Sequence, residues 1–248
     1  VRILSDLAEA EAAAGVSAIK PRGTLRVSVP VVFGRLHVAP LLATLMAEFS
    51  ELTIELLLTD RYVDLVEEGV DLAIRIGALS DSNLIARRLC GNRRLLVASP
   101  RYLERRGVLM RIEDLAAHEC LVCTVFPRPR QWRLRGPDGP ATVTVSSRLC
   151  CNNAEMMVEA AKSGLGIALG ATFAVFPALA SGELVRVVPL VEFEPTWIVA
   201  VYPSARQLAN KVRAVVDFFA RSLAHPPSWD RALSGHLEGF EAMRALDS

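Results

Sequence analysis

The sequence lacks an excess of charge of either sign: 28 Lys and Arg residues face 27 Asp and Glu residues, for a formal net charge of +1. A free-standing nucleic-acid-binding domain is usually clearly basic. Contact with DNA is therefore not expected from these residues. Hydrophobic residues, in contrast, make up 52% of the 248 positions, which is enough to build a sizeable core in one large domain or two modest ones.

Catalytic sequence motifs are also missing. There is no G-x-S-x-G elbow, no Walker loop, no G-x-G-x-x-G after a strand and no H-E-x-x-H. The four histidines are scattered along the chain, with no evident nucleophile beside them. We therefore predict that the chain is not an enzyme, has no catalytic residues and needs no cofactor.

Targeting and membrane signals are weak. The N-terminal stretch VRILSDLAEAEAAAG has no basic segment followed by an apolar one, which predicts no signal peptide and a cytoplasmic protein. Residues 163–182 carry no charge and approach the length of a membrane span, but four glycines and Pro177 interrupt them. A buried strand, loop and helix is the prediction there, with no membrane partner.

The five cysteines include a pair with zinc-like spacing, Cys120 and Cys123, near His118. Positions three apart on a strand point to opposite faces, so both thiols do not easily share one metal ion. Buried apolar cysteines are the prediction, with no metal site; a metal site and redox sensing are the alternatives.

Hydrophobic periodicity alternates between strands and helices along the chain. The pattern predicts strands at 25–29, 53–58, 71–76, 95–98, 120–125, 142–145, 166–169, 184–188 and 197–201, and helices at 34–49, 62–68, 153–163, 172–180 and 205–223. This alternation is typical of mainly parallel sheets flanked by helices. We predict an α/β fold of two lobes, joined by crossover strands near 95–100 and 196–202, with a ligand cleft between them.

Several segments then indicate a family. The run FGRLHVAPLLATLMAEFSELTIELLLTDRYVDLVEEGVDLAIRIGALSDSNLIARRL (33–89) resembles the first lobe of the effector domain of LysR-type transcriptional regulators. LLVASPRYLERRG (95–107), EDLAAHECL (113–121) and NNAEMMVEAAKSGLGIAL (152–169) resemble its second lobe, and SGELVRVVP (181–189) follows. The resemblance covers about residues 1–225, in the family's order and spacing.

The resemblance implies a periplasmic-binding-protein-like (type II) fold and a small-molecule effector between the lobes, which we expect to be a carboxylate or aromatic metabolite. It implies a homodimer or homotetramer. It also implies a winged helix-turn-helix before Val1 in the full protein, so that promoter DNA is reached only through a module that this chain does not contain. The predicted division is the end of a linker helix and a linker at 1–22, lobe I at 23–98 plus 201–225, lobe II at 99–200, and an unassigned tail at 226–248.

Candidate ligand-binding residues lie where predicted strands end. The turn into the first helix holds Pro30, Val31, Phe33 and Gly34. Free backbone N–H groups in this turn would favour an anion; an ordinary strand-to-helix turn is the alternative. Ile76 and Gly77 end the third strand, and Gly77 would allow a ligand to approach the backbone closely.

Second-lobe candidates are Ser99, Thr124, Phe126, Asn152 and Asn153. Ser99 would face the ligand or cap the helix starting at Pro100, and one of the two asparagines would cap the next helix. The segment 87–111 is rich in arginine. It would contact DNA or a neighbouring subunit; a solvated, partly paired surface is the alternative.

Two further functions remain open from the sequence. A free-standing solute-binding protein of a transport system would share the fold, but it would need an export signal and would leave the N-terminal helix without a role. A truncated regulator that acts by mixed dimerisation is the other.

Overall fold

A computed structural model describes residues 20–77, 84–125, 128–194, 196–203, 210–223 and 226–233. Residues 1–19, which make up most of the linker helix end and linker predicted at 1–22, lie outside the described part, as does most of the tail. The first sheet has the strand order β2-β1-β3-β13-β4. Its strands are β1 (Gly23–Val29), β2 (Leu52–Leu58), β3 (Leu72–Gly77), β4 (Leu84–Asn92) and β13 (Thr196–Pro203).

The second sheet has the order β11-β5-β10-β6-β9, and a third, small sheet has the order β12-β7-β8. Their strands are β5 (Arg94–Ala98), β6 (Cys120–Cys123), β7 (Gln131–Gly136), β8 (Gly139–Thr144), β9 (Leu149–Cys151), β10 (Ile167–Ala171), β11 (Val185–Arg186) and β12 (Glu192–Phe193). We refer to the residues around the first sheet (23–92 and 196–223) as the first lobe, and to those around the other two sheets (94–194) as the second lobe.

In the described part of the chain, the sheets are flanked by the helices α1 (Val31–Glu48), α2 (Pro100–Arg106), α3 (Ala154–Lys162), α4 (Thr172–Ala180) and α5 (Asn210–Ser222), with a 3-10 helix at Ile112–Ala117 and a short helical segment at 228–233. By length and composition alone, α1 is apolar enough to cross a membrane, which is weak evidence. Its buried residues Phe33, Val38 and Leu45 belong to the core of the first lobe, which accounts for its apolar character. The strand and helix predicted within 163–182 are confirmed as β10 and α4.

The two-lobed α/β fold is confirmed, but its sheets are mixed. Strands β1, β2 and β3 run parallel, whereas β13 runs antiparallel to both β3 and β4. In the second sheet β10, β6 and β9 run parallel, and β5 runs antiparallel to β10. Strand β13, by which the chain returns to the first lobe, therefore runs opposite to its neighbours β3 and β4.

Sheet membership moves the predicted lobe boundaries. The segment 95–98, predicted as part of lobe I, pairs with β10 and β11 in the second sheet. The whole of β13 lies in the first sheet. The crossovers are thus at Arg93 and between residues 193 and 196, where Asn92 Nδ2 donates a 2.8 Å hydrogen bond to Thr196 Oγ1.

The helix predicted at 62–68 is wrong, because this segment forms turns. The Asp64 carboxylate accepts hydrogen bonds from the backbone N–H groups of Val66 and Glu67, and Gly69 has a positive φ of 63°. Side-chain capping followed by a left-handed glycine ends the turn before a helix forms. Strands β4 and β7 were not predicted, whereas the strand predicted at 142–145 overlaps β8. For the helix predicted at 205–223, residues 204–209 lie outside the described part.

Candidate functional site

The carboxyl ends of the parallel strands in the first lobe form one edge of its sheet. Pro30 follows β1, Asp60 lies two residues after β2, and Gly77 ends β3. Because parallel strands end at the same edge, these residues come together there, as predicted for Pro30, Val31 and Gly77. The N-terminus of α1 begins at this edge, with Pro30 as its N-cap residue.

The second lobe presents a matching edge. Thr124 follows β6, and its N–H donates a 2.8 Å hydrogen bond to the carbonyl of Cys151, the last residue of β9. Asn152 and Asn153 come next, and both Thr124 and Asn152 are exposed. The Asn153 side chain accepts a 3.0 Å bond from Met156 N–H, so the predicted helix cap is confirmed at the start of α3.

Asp60 joins the two edges. Its Oδ1 accepts a 3.0 Å hydrogen bond from Val31 N–H at the start of α1. Its Oδ2 accepts a 3.2 Å bond from Asn153 Nδ2 at the start of α3. The N–H group of Val31 that we expected to be free for an anion is therefore already bound to a carboxylate of the chain.

Two further contacts connect the lobes beside Asp60. Arg35 on α1 forms an ion pair with Glu155 in the first turn of α3. The His37 ring nitrogen Nε2 lies 3.1 Å from the carbonyl oxygen of Phe173 on α4. Burial lowers the pKa of His37, and the hydrogen bond to Phe173 offsets only part of this effect. Burial at the junction thus favours the neutral form of the imidazole.

Three of the predicted ligand-binding residues pack within the first lobe. Phe33 is fully buried in the first-lobe core. A Cβ added at Gly34 would lie 2.7 Å from Leu58 Cδ2, so the glycine allows α1 to lie close to β2. Ile76 is partly buried and packs against the same core. Phe33 and Gly34 thus position the start of α1 at the cleft edge.

Gly77 has a φ of 131°, a backbone conformation that favours glycine. A Cβ at this position would lie 3.6 Å from the Tyr62 hydroxyl. Arg75, on the same strand, donates a hydrogen bond to the Val63 carbonyl, and its guanidinium lies 4.9 Å from the centre of the Tyr62 ring. Arg75 is therefore held by the 62–63 segment.

Ser99 lies at the other end of the second sheet. Because β5 runs antiparallel to β10, its last residue Ala98 is at the end of the sheet opposite to Thr124 and Asn152. Ser99 is buried, and its Oγ accepts a hydrogen bond from Tyr102 N–H as the N-cap of α2. The capping alternative is confirmed, and the structure does not bring Ser99 to the cleft edge. Phe126 lies outside the described residues.

The cysteines are distributed as the strand geometry predicts. Cys120 belongs to the core on one face of the second sheet and Cys123 to the core on the other. Burial raises the pKa of Cys120 to about 12. Within the described ranges, no group of three or more His, Cys, Asp or Glu side chains is placed to hold a metal ion.

The arginine-rich run is largely engaged within the chain. Arg87 pairs with Asp217, Arg88 lies 4.6 Å from the centre of the Trp197 ring, and Arg105 donates to the Gly164 carbonyl. These contacts support the solvated, partly paired surface over a dedicated DNA contact.

Residues 18–224 match the LysR substrate binding domain family. The chain is 39% identical over 211 residues to the HTH-type transcriptional regulator DmlR of Escherichia coli K12, an alignment that covers 84% of this chain and 68% of DmlR. It thus spans about two thirds of that relative.

Solved structures with the same fold include the regulatory domain of CrgA, a LysR-type transcriptional regulator from Neisseria meningitidis. That match has a TM-score of 0.74 and 29% identity, and covers 82% of this chain and 100% of the CrgA domain. Full-length AphB, the Vibrio cholerae virulence activator, matches with a TM-score of 0.72 and 26% identity over 88% of this chain and 74% of AphB.

These relatives are transcriptional regulators, and the family is not one of enzymes. The match extends from before β1 to just after α5, so it includes both lobes and both cleft edges. The chain belongs to the LysR substrate-binding domain family, the effector-binding part of LysR-type transcriptional regulators.

Proposed function

We propose that this chain binds a small-molecule inducer between its two lobes and passes the signal to a winged helix-turn-helix on the N-terminal side of Val1. The observation that carries the proposal is Asp60, whose carboxylate contacts the starts of α1 and α3 from opposite lobes. A group that replaces either hydrogen bond acts on both lobes at once. The protein is proposed to work in the cytoplasm, as a homodimer or homotetramer.

A carboxylate or aromatic metabolite fits this arrangement. Val31 N–H and Asn153 Nδ2 already hold a carboxylate, so their position and chemistry suit a carboxylate ligand that displaces Asp60. The proposed contact surface also includes Thr124, Asn152 and Gly77. When the ligand binds, the second lobe is expected to move relative to the first lobe.

The proposed mechanism is a population shift. The effector binds one lobe arrangement more tightly than the other, and the difference in binding free energy sets the size of the shift. The 1–22 segment would transmit the change, and promoter DNA would be contacted only by the N-terminal domain.

Thermal unfolding against a panel of small carboxylates and aromatic acids tests the proposal, with calorimetry on each compound that raises Tm. A ligand at 100 times its Kd stabilises the folded state by about 2.7 kcal/mol. The variant Thr124→Trp fills the cleft edge and should abolish the shift. Arg101→Trp is the matched control, because Arg101 is exposed on α2 near the opposite end of the second sheet. An equal loss in both variants, or no loss in Thr124→Trp, contradicts a ligand between the lobes.

A further inference from the structure

A short helical segment near the C-terminus, residues 228–233, lies beyond the part of the chain that matches the family, which ends at 224. It follows Pro226 and Pro227. The N–H groups of Asp230 and Arg231 donate 3.0 and 3.1 Å hydrogen bonds to the Pro227 carbonyl, which forms its first turn. Both Trp229 and Leu233 on this segment are buried.

Trp229 contacts aromatic rings from both lobes. Its ring centroid lies 4.1 Å from that of His37 and 6.2 Å from that of Phe33, both on α1. It lies 6.4 Å from that of Phe173 on α4, at an interplanar angle of 70°. Phe33 and Phe173 themselves meet edge to face, with centroids 5.4 Å apart. Phe33, Phe173 and Trp229 all belong to the core of the first lobe, which Phe173 enters from helix α4 of the second lobe, so Trp229 packs where the two lobes meet.

Leu233 extends the contact into the second lobe. It is fully buried in the second-lobe core that contains Met157 of α3 and Leu179 of α4. Trp229 and Leu233 are four residues apart, so on a helical turn they lie on the same face. One rigid turn therefore anchors one side chain among α1 residues and the other among α3 and α4 residues.

This attachment lies beside the proposed cleft. Phe33 and His37 follow Val31 by two and six residues on the same helix, and Val31 N–H binds Asp60. Besides the two crossovers, the Asp60–Asn153, Arg35–Glu155 and His37–Phe173 contacts connect the lobes. The 228–233 turn adds an attachment that must be broken, through Trp229 or Leu233, before the second lobe moves away from α1.

We propose that residues 226–233 act as an interlobe brace, which fixes the position of the second lobe against α1 through Trp229 and Leu233. The brace is a property of the folded chain and does not depend on the identity of any effector. Movement of one lobe against the other then requires the brace to shift or detach.

Hydrogen exchange followed by mass spectrometry on the full chain tests this. In Trp229→Ala we expect exchange to become roughly tenfold faster in two peptides from different lobes, 31–38 and 172–176, because the aromatic cluster that joins them is lost. The 131–144 hairpin, remote from the brace, should not change.

Phe219→Ala is the matched control, since Phe219 is a buried aromatic residue of the first-lobe core on α5. It should accelerate exchange within the first lobe and leave 172–176 unchanged. Trp229→Phe should restore most of the protection, and Leu233→Ala should act chiefly on 154–162 and 172–180. If Trp229→Ala lowers stability too far for measurement, the milder pair of Trp229→Phe and Leu233→Ala decides. Faster exchange confined to 226–233, or the same pattern in Trp229→Ala and Phe219→Ala, overturns the proposal.

Discussion

The contact between Asp60 and Asn153 joins the two lobes, and its energy is measurable by a double-mutant cycle. Asp60→Ala removes both the 3.0 Å bond from Val31 N–H and the 3.2 Å bond from Asn153 Nδ2. Asn153→Ser removes the Nδ2 donor but keeps a side-chain oxygen that can still cap Met156 N–H.

A hydrogen bond of this kind contributes about 1 kcal/mol to stability, somewhat more with a charged partner. Asp60 is only half-buried, so solvent screens its charge. We expect Asp60→Ala to lower the free energy of unfolding by about 2 kcal/mol and Asn153→Ser by about 1 kcal/mol. The double variant should lose about 1 kcal/mol less than the sum, because the shared bond is counted twice.

Urea unfolding at pH 7, followed by circular dichroism and tryptophan fluorescence, gives the four free energies. Asp64→Ala is the control for Asp60→Ala: Asp64 also accepts two backbone N–H bonds, at 2.9 and 3.0 Å, but both come from its own turn. Its effect should add to that of Asn153→Ser within about 0.5 kcal/mol. If Asp60 shows no more coupling to Asn153 than Asp64 does, the two lobes are not joined at this point.

Gly166→Ala should destabilise the chain by about 1–3 kcal/mol, because its Cβ would lie 2.4 Å from the Glu119 backbone oxygen; thermal unfolding measures this. Iodoacetamide at pH 8 should label the exposed Cys150 well before Cys120, whose pKa burial raises to about 12, as mass spectrometry of peptides would show. Burial also lowers the pKa of His37, so the unfolded chain binds its proton at a higher pH than the folded chain does. Stability should therefore fall as the pH drops below about 6.5 towards that lowered pKa, and His37→Gln should flatten this slope in urea unfolding.

Each of these predictions has a matched comparison. Gly136→Ala should cost less than Gly166→Ala, because its Cβ would meet the flexible end of Ile112, 2.6 Å away. An equal loss of stability in the two variants would mean that the backbone at Glu119 moves away from the added Cβ of residue 166 at little cost in free energy. Equal labelling rates for a buried and an exposed thiol would contradict the packing of β6. Burial lowers the pKa of His118 as well, so His118→Gln should remove a separate part of the pH slope; an unchanged slope in His37→Gln would exclude its buried, neutral state.

The sequence predicted the elements whose hydrophobic pattern is local. Strands β1, β2 and β3 are apolar runs that end in turn residues, and α4 was predicted with its observed ends. The edge that gathers Pro30, Val31 and Gly77 followed from parallel pairing. Strand β4 was missed because it is an edge strand, in which the exposed Arg87 and Arg88 interrupt the apolar pattern that would indicate a strand.

The wrong predictions at the site come from the direction of one strand and from hydrogen bonds between residues far apart in the sequence. The sequence does not specify that β5 runs antiparallel to β10, and this orientation alone places Ser99 at the far end of the sheet. Asp60 is absent from the predicted site residues, because its bonds to Val31 and Asn153 span 29 and 93 residues. An acidic residue just after a parallel strand, beside a helix start, is the signal that would have indicated it.

Amide chemical-shift mapping tests the central claim, that an effector binds between the lobes, most directly. The probe is whichever carboxylate or aromatic acid gives the largest rise in Tm, titrated into isotope-labelled chain. We expect saturable shifts with a single Kd at Val31, Gly77 and Asn153, and no shift at Tyr102, beside the Ser99 cap at the opposite end of the second sheet. Shifts confined to one lobe, or centred on α2, would contradict it.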